Sequence, residues 1–411
     1  MRFRYSTNEK GKLVKKALVY TSQEHGIDVS NVDPQAVFVI ERLWANGFET
    51  YIVGGAVRDL ILGKKPKDFD IVSAANPARI KKLFRNARII GNRFRLVHVY
   101  FGPKTFEVST FRSLKDGPTS NTFGSIEEDV LRRDFTLNAL FFDPINQVVV
   151  DFVGGMKDIK AKKVRPIIAL SSIFTDDPVR MIRAVKYGAI TGFALSLQLR
   201  WKIRQQSSLL STISASRLTE EIFKIIHSPM TSRIVDELDA AGLYQYIQPQ
   251  AAMLFKTKQG FREQYLRSLS TLDQREFKNR PGEAMAALIR DYLEDIADWT
   301  GSGVRPAWER YREAFMAARK FVMPMNPPRV QLGQAVKLLF AEHGVKIKRS
   351  RLSENNPKST MDGKQAKDNN ENHVEEPDSP VKKKSRSRHS RRKRKSVRDP
   401  ELYPEKTMPA D

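Results

Sequence analysis

Two carboxylates, Asp68 and Asp70, stand two residues apart shortly after a glycine pair, Gly54 and Gly55. In an extended chain, Asp68-Phe69-Asp70-Ile71 puts both acids on one face and the two apolar side chains on the other. Like charges placed this way call for cations, and hard divalent ions with oxygen ligands, Mg²⁺ above all, are the usual answer. A two-ion clamp of that kind suits in-line attack of a hydroxyl on a phosphoryl group. The glycine pair supplies a complementary feature. Backbone N–H groups freed of side-chain bulk at a helix N-terminus form an anion site suited to a triphosphate, and Arg58, one turn on, can add a charged fork. A plain glycine turn followed by a solvated acid pair is the blander account. The turn, Arg58-Asp59 and the Asp-x-Asp arriving in this order weigh against it.

A second constellation lies at Asp176-Asp177-Pro178-Val179-Arg180. A carboxylate accepts from an exocyclic amine, and a neighbouring arginine donates to a ring acceptor. Adenine and cytosine present that amine beside a ring acceptor, whereas guanine and uracil present the opposite pattern. Asp177 and Arg180 are therefore expected to select ATP or CTP without a template, and this chemistry leaves the choice between the two open. Glu107, in the strand-like stretch from Thr105 to Arg112, could supply a third carboxylate or be an ordinary exposed strand residue. Arg112 could reach phosphate.

These side chains need a sheet and helix ends to hold them. Tyr51–Val53 reads as a short strand broken by Gly54, and 56–62 has helical apolar spacing closed by Gly63. Ala36–Trp44 reads as a helix closed by Asn46-Gly47, and Asn76-Pro77 begins another. Strands are expected at Ala87–Ile90, Leu96–Tyr100 and Phe106–Phe111, followed by a polar loop from Ser113 to Phe123. Gly124–Asp129 opens a helix with acidic residues at its positive end. From Phe174 onward the pattern is helical.

Gly54-Gly55-Ala56-Val57-Arg58-Asp59 with Asp68-Phe69-Asp70 resembles the nucleotidyltransferase signature of the class II tRNA CCA-adding enzyme and bacterial poly(A) polymerase family. The resemblance runs over about residues 18–245. It implies a polymerase-beta-like head whose Asp68 and Asp70 hold catalytic Mg²⁺, with Gly54, Gly55 and Arg58 cradling phosphates. Arg132-Arg133-Asp134 resembles the motif that meets the incoming nucleotide: Arg133 for phosphate, Asp134 for a ribose hydroxyl or in support of the catalytic acids. Asp151–Asp158 resembles a hinge with swinging glycines, and Asp176–Arg180 the base reader, with Asp176 where glutamate is usual. Ser214–Phe223 resembles the last motif, with Arg217 and Glu221 bracing the neck. Ile90–Val99 resembles the stretch marking poly(A) polymerases, although Asn92 stands where a basic residue is usual. The implied activity is transfer of AMP from ATP to RNA 3′ ends with release of pyrophosphate. The alternatives are a CCA-adding enzyme and a non-catalytic RNA-binding protein.

Composition agrees. A 411-residue chain with net charge +24 calls for a polyanionic partner, RNA being the natural one. Eleven of its cations lie between Lys382 and Arg398, yet the remainder is still basic. No cysteine is present, and no apolar run of membrane-spanning length, so a cytoplasmic protein is expected, with a monomer as the default; the resemblance adds RNA-decay proteins as expected partners. The fold class is α+β. An N-terminal arm (1–34) leads to a nucleotidyltransferase domain (35–155), a helical neck (156–245), a helical body (246–345) and a disordered basic tail (346–411).

Overall fold

The computed structural model describes residues 2–7, 12–91, 95–113, 122–274, 282–301 and 305–347. Most of the 113–123 loop, Asn92 and the basic tail from residue 348 lie outside them.

The head is built on one sheet. Its strands are β1 (Arg2–Thr7), β2 (Leu13–Tyr20), β3 (Thr50–Val53), β4 (Asp70–Ser73), β5 (Ala87–Ile90), β6 (Leu96–Phe101), β7 (Lys104–Thr110), β8 (Leu140–Asp143) and β9 (Val148–Asp151). They lie in the order β1-β2-β9-β8-β3-β4-β7-β6-β5. β4 and β7 pair in parallel and the other neighbours are antiparallel. Central β3 is buried along its whole length. One sheet face is covered by the helices Pro34–Trp44, Gly55–Ile61 and Pro77–Leu83, whose Val39, Ile40, Val57, Leu60 and Ile80 join Ile52, Ile71 and Val108 in the main core. Two of these helices start as their sequences dictate, with Asp33 or Asn76 capping and proline at the first turn. The other face carries a smaller cluster, Tyr51, Val53, Val72, Phe111 and Phe141, under the helix Ile126–Leu131. That helix begins in a capping box of Ser125 and Glu128.

The segment expected to be an arm, 1–34, is therefore largely part of the head, because β2 pairs with β9 and extends the sheet. Its run of lysines hid the strand: only Ala17 and Tyr20 of β2 are buried, which leaves little alternation to read. After the head the chain is helical, as expected, apart from a short parallel pair, Lys163–Val164 with Ala194–Leu195. The helices Val179–Thr191 and Ala215–Ile226 form the neck. Seven more, from Thr231–Ala240 to Arg329–Glu342, pack onto the same continuous core.

Candidate active site

β3 ends at Val53, which pairs with Asp70 at the start of β4, so the glycine turn falls beside the acid pair. Gly54 has φ of +74°, a conformation that disfavours any residue with a Cβ. It opens the Gly55–Ile61 helix. A Cβ built on Gly54 would lie 3.8 Å from Asp70 Oδ2, so turn and carboxylate share one wall. Asp68 precedes the strand instead of belonging to it. The alternation nevertheless holds, with Asp68 and Asp70 exposed and Phe69 and Ile71 buried.

Across the parallel pair, Ile71 aligns with Val108, which brings Glu107 level with Asp70. Asp70 is open to the solvent of the cleft, yet its carboxyl is crowded by the cleft walls. That desolvation, with the charges of Glu107 and Asp68, pushes it up to about 6 against the pull of Arg133. Glu107 itself is more than half exposed and lies 3.4 Å from His98 Nε2. Among the described residues neither Asp68 nor Asp70 has a hydrogen-bond or ion-pair partner. The described residues also hold no group of three or more His, Cys, Asp or Glu able to hold a metal ion. The protein thus offers two hard, unpaired carboxylates whose remaining partners would be water and phosphate oxygens. That donor set fits Mg²⁺.

Facing the acids is a basic wall. A cavity of about 360 Å³ is lined by Gly54, Gly55, Asp70 and the arginines 112, 132, 133 and 183, among others. Burial, together with their neighbours' charge, holds Arg112 and Arg132 below the ordinary arginine value. Arg133 donates to Asp129 from Nη2 (2.8 Å) and to the Asn138 carbonyl from Nη1 (3.2 Å), and lies 5.0 Å from the Phe141 ring centroid. Such positive crowding in a small cavity suits a triphosphate.

Arg58 is placed differently from the expectation. It is buried, donating from Nε to Asp59 (2.9 Å) and from Nη1 to Asn138 Oδ1 (2.9 Å), with its guanidinium 5.6 Å from the Tyr187 ring centroid. It supports the helix behind the turn.

The neck meets the head through Asp134. Its two oxygens accept from Arg180 Nε (2.8 Å) and Arg183 Nη1 (2.7 Å). Arg183 also donates to Glu221 Oε1 (2.7 Å), whose other oxygen accepts from Lys186 (3.2 Å). Glu221 is 2% exposed. Burial would raise its carboxyl, but Lys186 and Arg183 hold it down at about 2. Burial outweighs Glu221 at Lys186, which is lowered. Asp177 accepts from the Val179 N–H at the neck helix start (3.1 Å) and from Arg217. Asp177 and Arg180 are thus one turn apart, each already engaged with protein. The Asp151–Asp158 turn is pinned: the Asp151 carboxylate accepts from the N–H groups of Val153, Gly154, Gly155 and Met156 at 2.8–3.1 Å. A Cβ on Gly155 would fall 2.4 Å from the Thr136 carbonyl oxygen, so this glycine is required by close packing in the conformation seen, whatever swing it permits.

The sequence gives no site role to Asp129 or Tyr187 and none to Arg132 beyond its place in the Arg132-Arg133-Asp134 motif. Arg132 lies one residue before Arg133, and the doubling of arginine was the available signal. Asn138 was visible only as a member of a motif.

Two family models match the chain: the poly A polymerase head domain over residues 50–165, and the probable RNA and SrmB-binding site of polymerase A over residues 192–254. Poly(A) polymerase I of Escherichia coli O6:H1 is 38% identical over 331 residues, covering 74% of this chain and 70% of that protein. The CCA-adding enzyme of Geobacillus kaustophilus is 35% identical over 240 residues, covering 56% of this chain and 59% of that enzyme. The crystal structure of the Bacillus stearothermophilus CCA-adding enzyme in complex with CTP is similar at a TM-score of 0.50 and 25% identity, over 77% of this chain and 84% of that one. With the unpaired acids, the glycine turn and the arginine wall in one cleft, the chain belongs to the nucleotidyltransferase family of bacterial poly(A) polymerases and class II CCA-adding enzymes.

Proposed function

We propose that this enzyme is a poly(A) polymerase, adding AMP from ATP to RNA 3′ ends without a template. The observation that carries the reading is the cleft, in which the unpaired Asp70, two residues after the equally unpaired Asp68, faces four arginines. The RNA 3′ oxygen attacks the α-phosphorus of ATP, the bond from that phosphorus to the bridging oxygen breaks, and pyrophosphate leaves with the negative charge. Asp68 and Asp70 would hold Mg²⁺, which when bound supplies the positive charge that activates the hydroxyl and steadies the leaving group. Glu107 keeps the acid side of the cleft negative.

The Gly54–Gly55 turn lets the triphosphate approach the backbone, and Arg133, with Arg112 and Arg132, offsets its charge. Asp134, fixed by Arg180 and Arg183, places a carboxylate for the ribose. Asp177 retains lone pairs for the adenine amine. Arg180 uses Nε on Asp134 and Nη1 on the Ile173 carbonyl, leaving Nη2 for a ring nitrogen. The reading carries with it a cytoplasmic, monomeric enzyme working beside RNA-decay proteins. No helix among the described residues is long and apolar enough to cross a membrane.

The test is extension of a generic RNA ending in adenosines, with Mg²⁺ and ATP alone or CTP alone, beside a tRNA lacking its terminal CCA. A long ladder on the generic RNA with ATP alone is expected. Three residues added to the tRNA only, requiring both nucleotides, would make the protein a CCA-adding enzyme. No extension of either RNA would refute both activities.

A further inference from the structure

Beyond the cleft, the helix Leu197–Gln206 leaves two large apolar side chains in solvent, Leu197 at 84% and Trp201 at 63% exposure. They stand four residues apart and so share a helix face. With Leu170 and Ser171 of the preceding loop and Lys202 they line an open apolar groove of about 470 Å³. Buried rings need no partner, but an indole this exposed beside a groove marks a surface that something covers.

Charge decides what covers it. Residues 159–172 and 192–217 contain no aspartate or glutamate. The fold joins these two acid-free segments through the parallel pair Lys163–Val164 with Ala194–Leu195, just ahead of the Trp201 helix. Lys160, Lys162 and Lys163 are exposed there, Lys202 lines the groove itself, and among the described residues none of the four has an ion-pair partner. A planar apolar platform in a field of unpaired cations suits a single-stranded nucleic acid, whose bases stack while its phosphates are neutralised. It does not suit a neutral apolar protein face.

The loop that lines the groove is tied to the cleft segment through its backbone. The Ile167 N–H donates to the Asp134 carbonyl (3.2 Å) and the Thr136 N–H to the Arg165 carbonyl (3.0 Å), so the loop reaching Leu170 is hydrogen-bonded to the segment that carries Asp134.

We infer that Trp201 is a stacking platform for an upstream base of the single-stranded RNA whose 3′ end is being extended, with Lys162, Lys163 and Lys202 taking its phosphates. The inference rests on RNA being the substrate and adds the residue that grips it. The test is binding of a fluorescent single-stranded A₁₅ oligonucleotide without nucleotide, for wild type, Trp201→Ala, Trp201→Phe and Lys163→Glu, with thermal melting of each. Trp201→Ala is expected to weaken binding roughly tenfold or more. Trp201→Phe should restore most of the affinity, Lys163→Glu should weaken binding and flatten its salt dependence, and melting should stay unchanged. In extension assays Trp201→Ala should raise KM for RNA and leave KM for ATP unaltered. Unchanged A₁₅ affinity in Trp201→Ala would overturn the inference and leave the groove to a protein partner, as would equal loss in the Ala and Phe variants. Because binding is read without catalysis, a chain that grips A₁₅ through Trp201 but never extends it would refute the polymerase reading alone.

Discussion

The cleft and the neck use the same residue types to opposite ends. At the neck's junction with the head Glu221 is buried against Arg183 and Lys186, and Asp134 is clamped by two arginines, so both acids have their cations within 3.2 Å. In the cleft Asp68 and Asp70 have no such partner, and crowding pushes Asp70 up to about 6 while Glu221 is held near 2. The difference teaches where to look for chemistry. Paired buried charge fixes geometry, whereas unpaired charge on a cleft wall waits for a ligand.

The strongest way to break this contrast is Asp70→Ala. If the acid is there for a cation, transfer of AMP should fall roughly a thousandfold or more, while the melting temperature holds or rises because a crowded carboxylate has gone. Loss of activity together with a lower melting temperature would place Asp70 with the neck acids instead.

Glu221→Ala should do the reverse. It leaves Arg183 and Lys186 buried without their acid, at a cost of about 3–5 kcal/mol in denaturant unfolding. Its pH dependence follows from sign. A carboxyl held below its ordinary value stabilises the fold above that value and loses this contribution as pH falls toward its folded value. The stability gap between wild type and Glu221→Gln should therefore be full near neutral pH and shrink between about pH 4.5 and 2. A gap constant over that window would mean that Glu221 is not ionised in the fold.

The pinned linker offers a smaller test. Gly155→Ala would drive a methyl against the Thr136 carbonyl and should cost about 1–3 kcal/mol. If this glycine served only to let the backbone swing, the variant would keep its stability and lose turnover.

Much of the cleft was legible because its signals are local. The glycine turn, the alternation around Phe69 and the acidic helix start at Gly124–Asp129 each need a few neighbouring residues, and each formed as read. The helical neck was legible from periodicity, and Arg217 and Glu221, expected as braces, are ion-paired to Asp177 and to Arg183 and Lys186. What sequence withheld is contact across distance. Asp134 looks free to meet a ribose or a metal until the fold brings Arg180 and Arg183 to it, 46 and 49 residues on. β2 escaped notice because a half-exposed strand with paired lysines carries almost no period-two signal, whereas β1, Arg2-Phe3-Arg4-Tyr5, does alternate and was missed as part of a basic N-terminus.

Arg58 is the residue on which the two kinds of charge are best separated, because its sequence position says cleft and its buried, paired contacts resemble those of the neck. Its Nη1 donates to Asn138 Oδ1, 80 residues away, in a buried setting. Removing that acceptor with Asn138→Ala strands a buried guanidinium N–H and should cost about 1–3 kcal/mol. Asn138 and Arg133 both line the cavity and Arg58 does not, so if Arg58 is a support the loss appears chiefly as stability, with KM for ATP changed less than by Arg133→Ala. A rise in KM for ATP equal to that of Arg133→Ala, at unchanged stability, would return Arg58 to the triphosphate and move the border between paired and unpaired charge one helix deeper into the head.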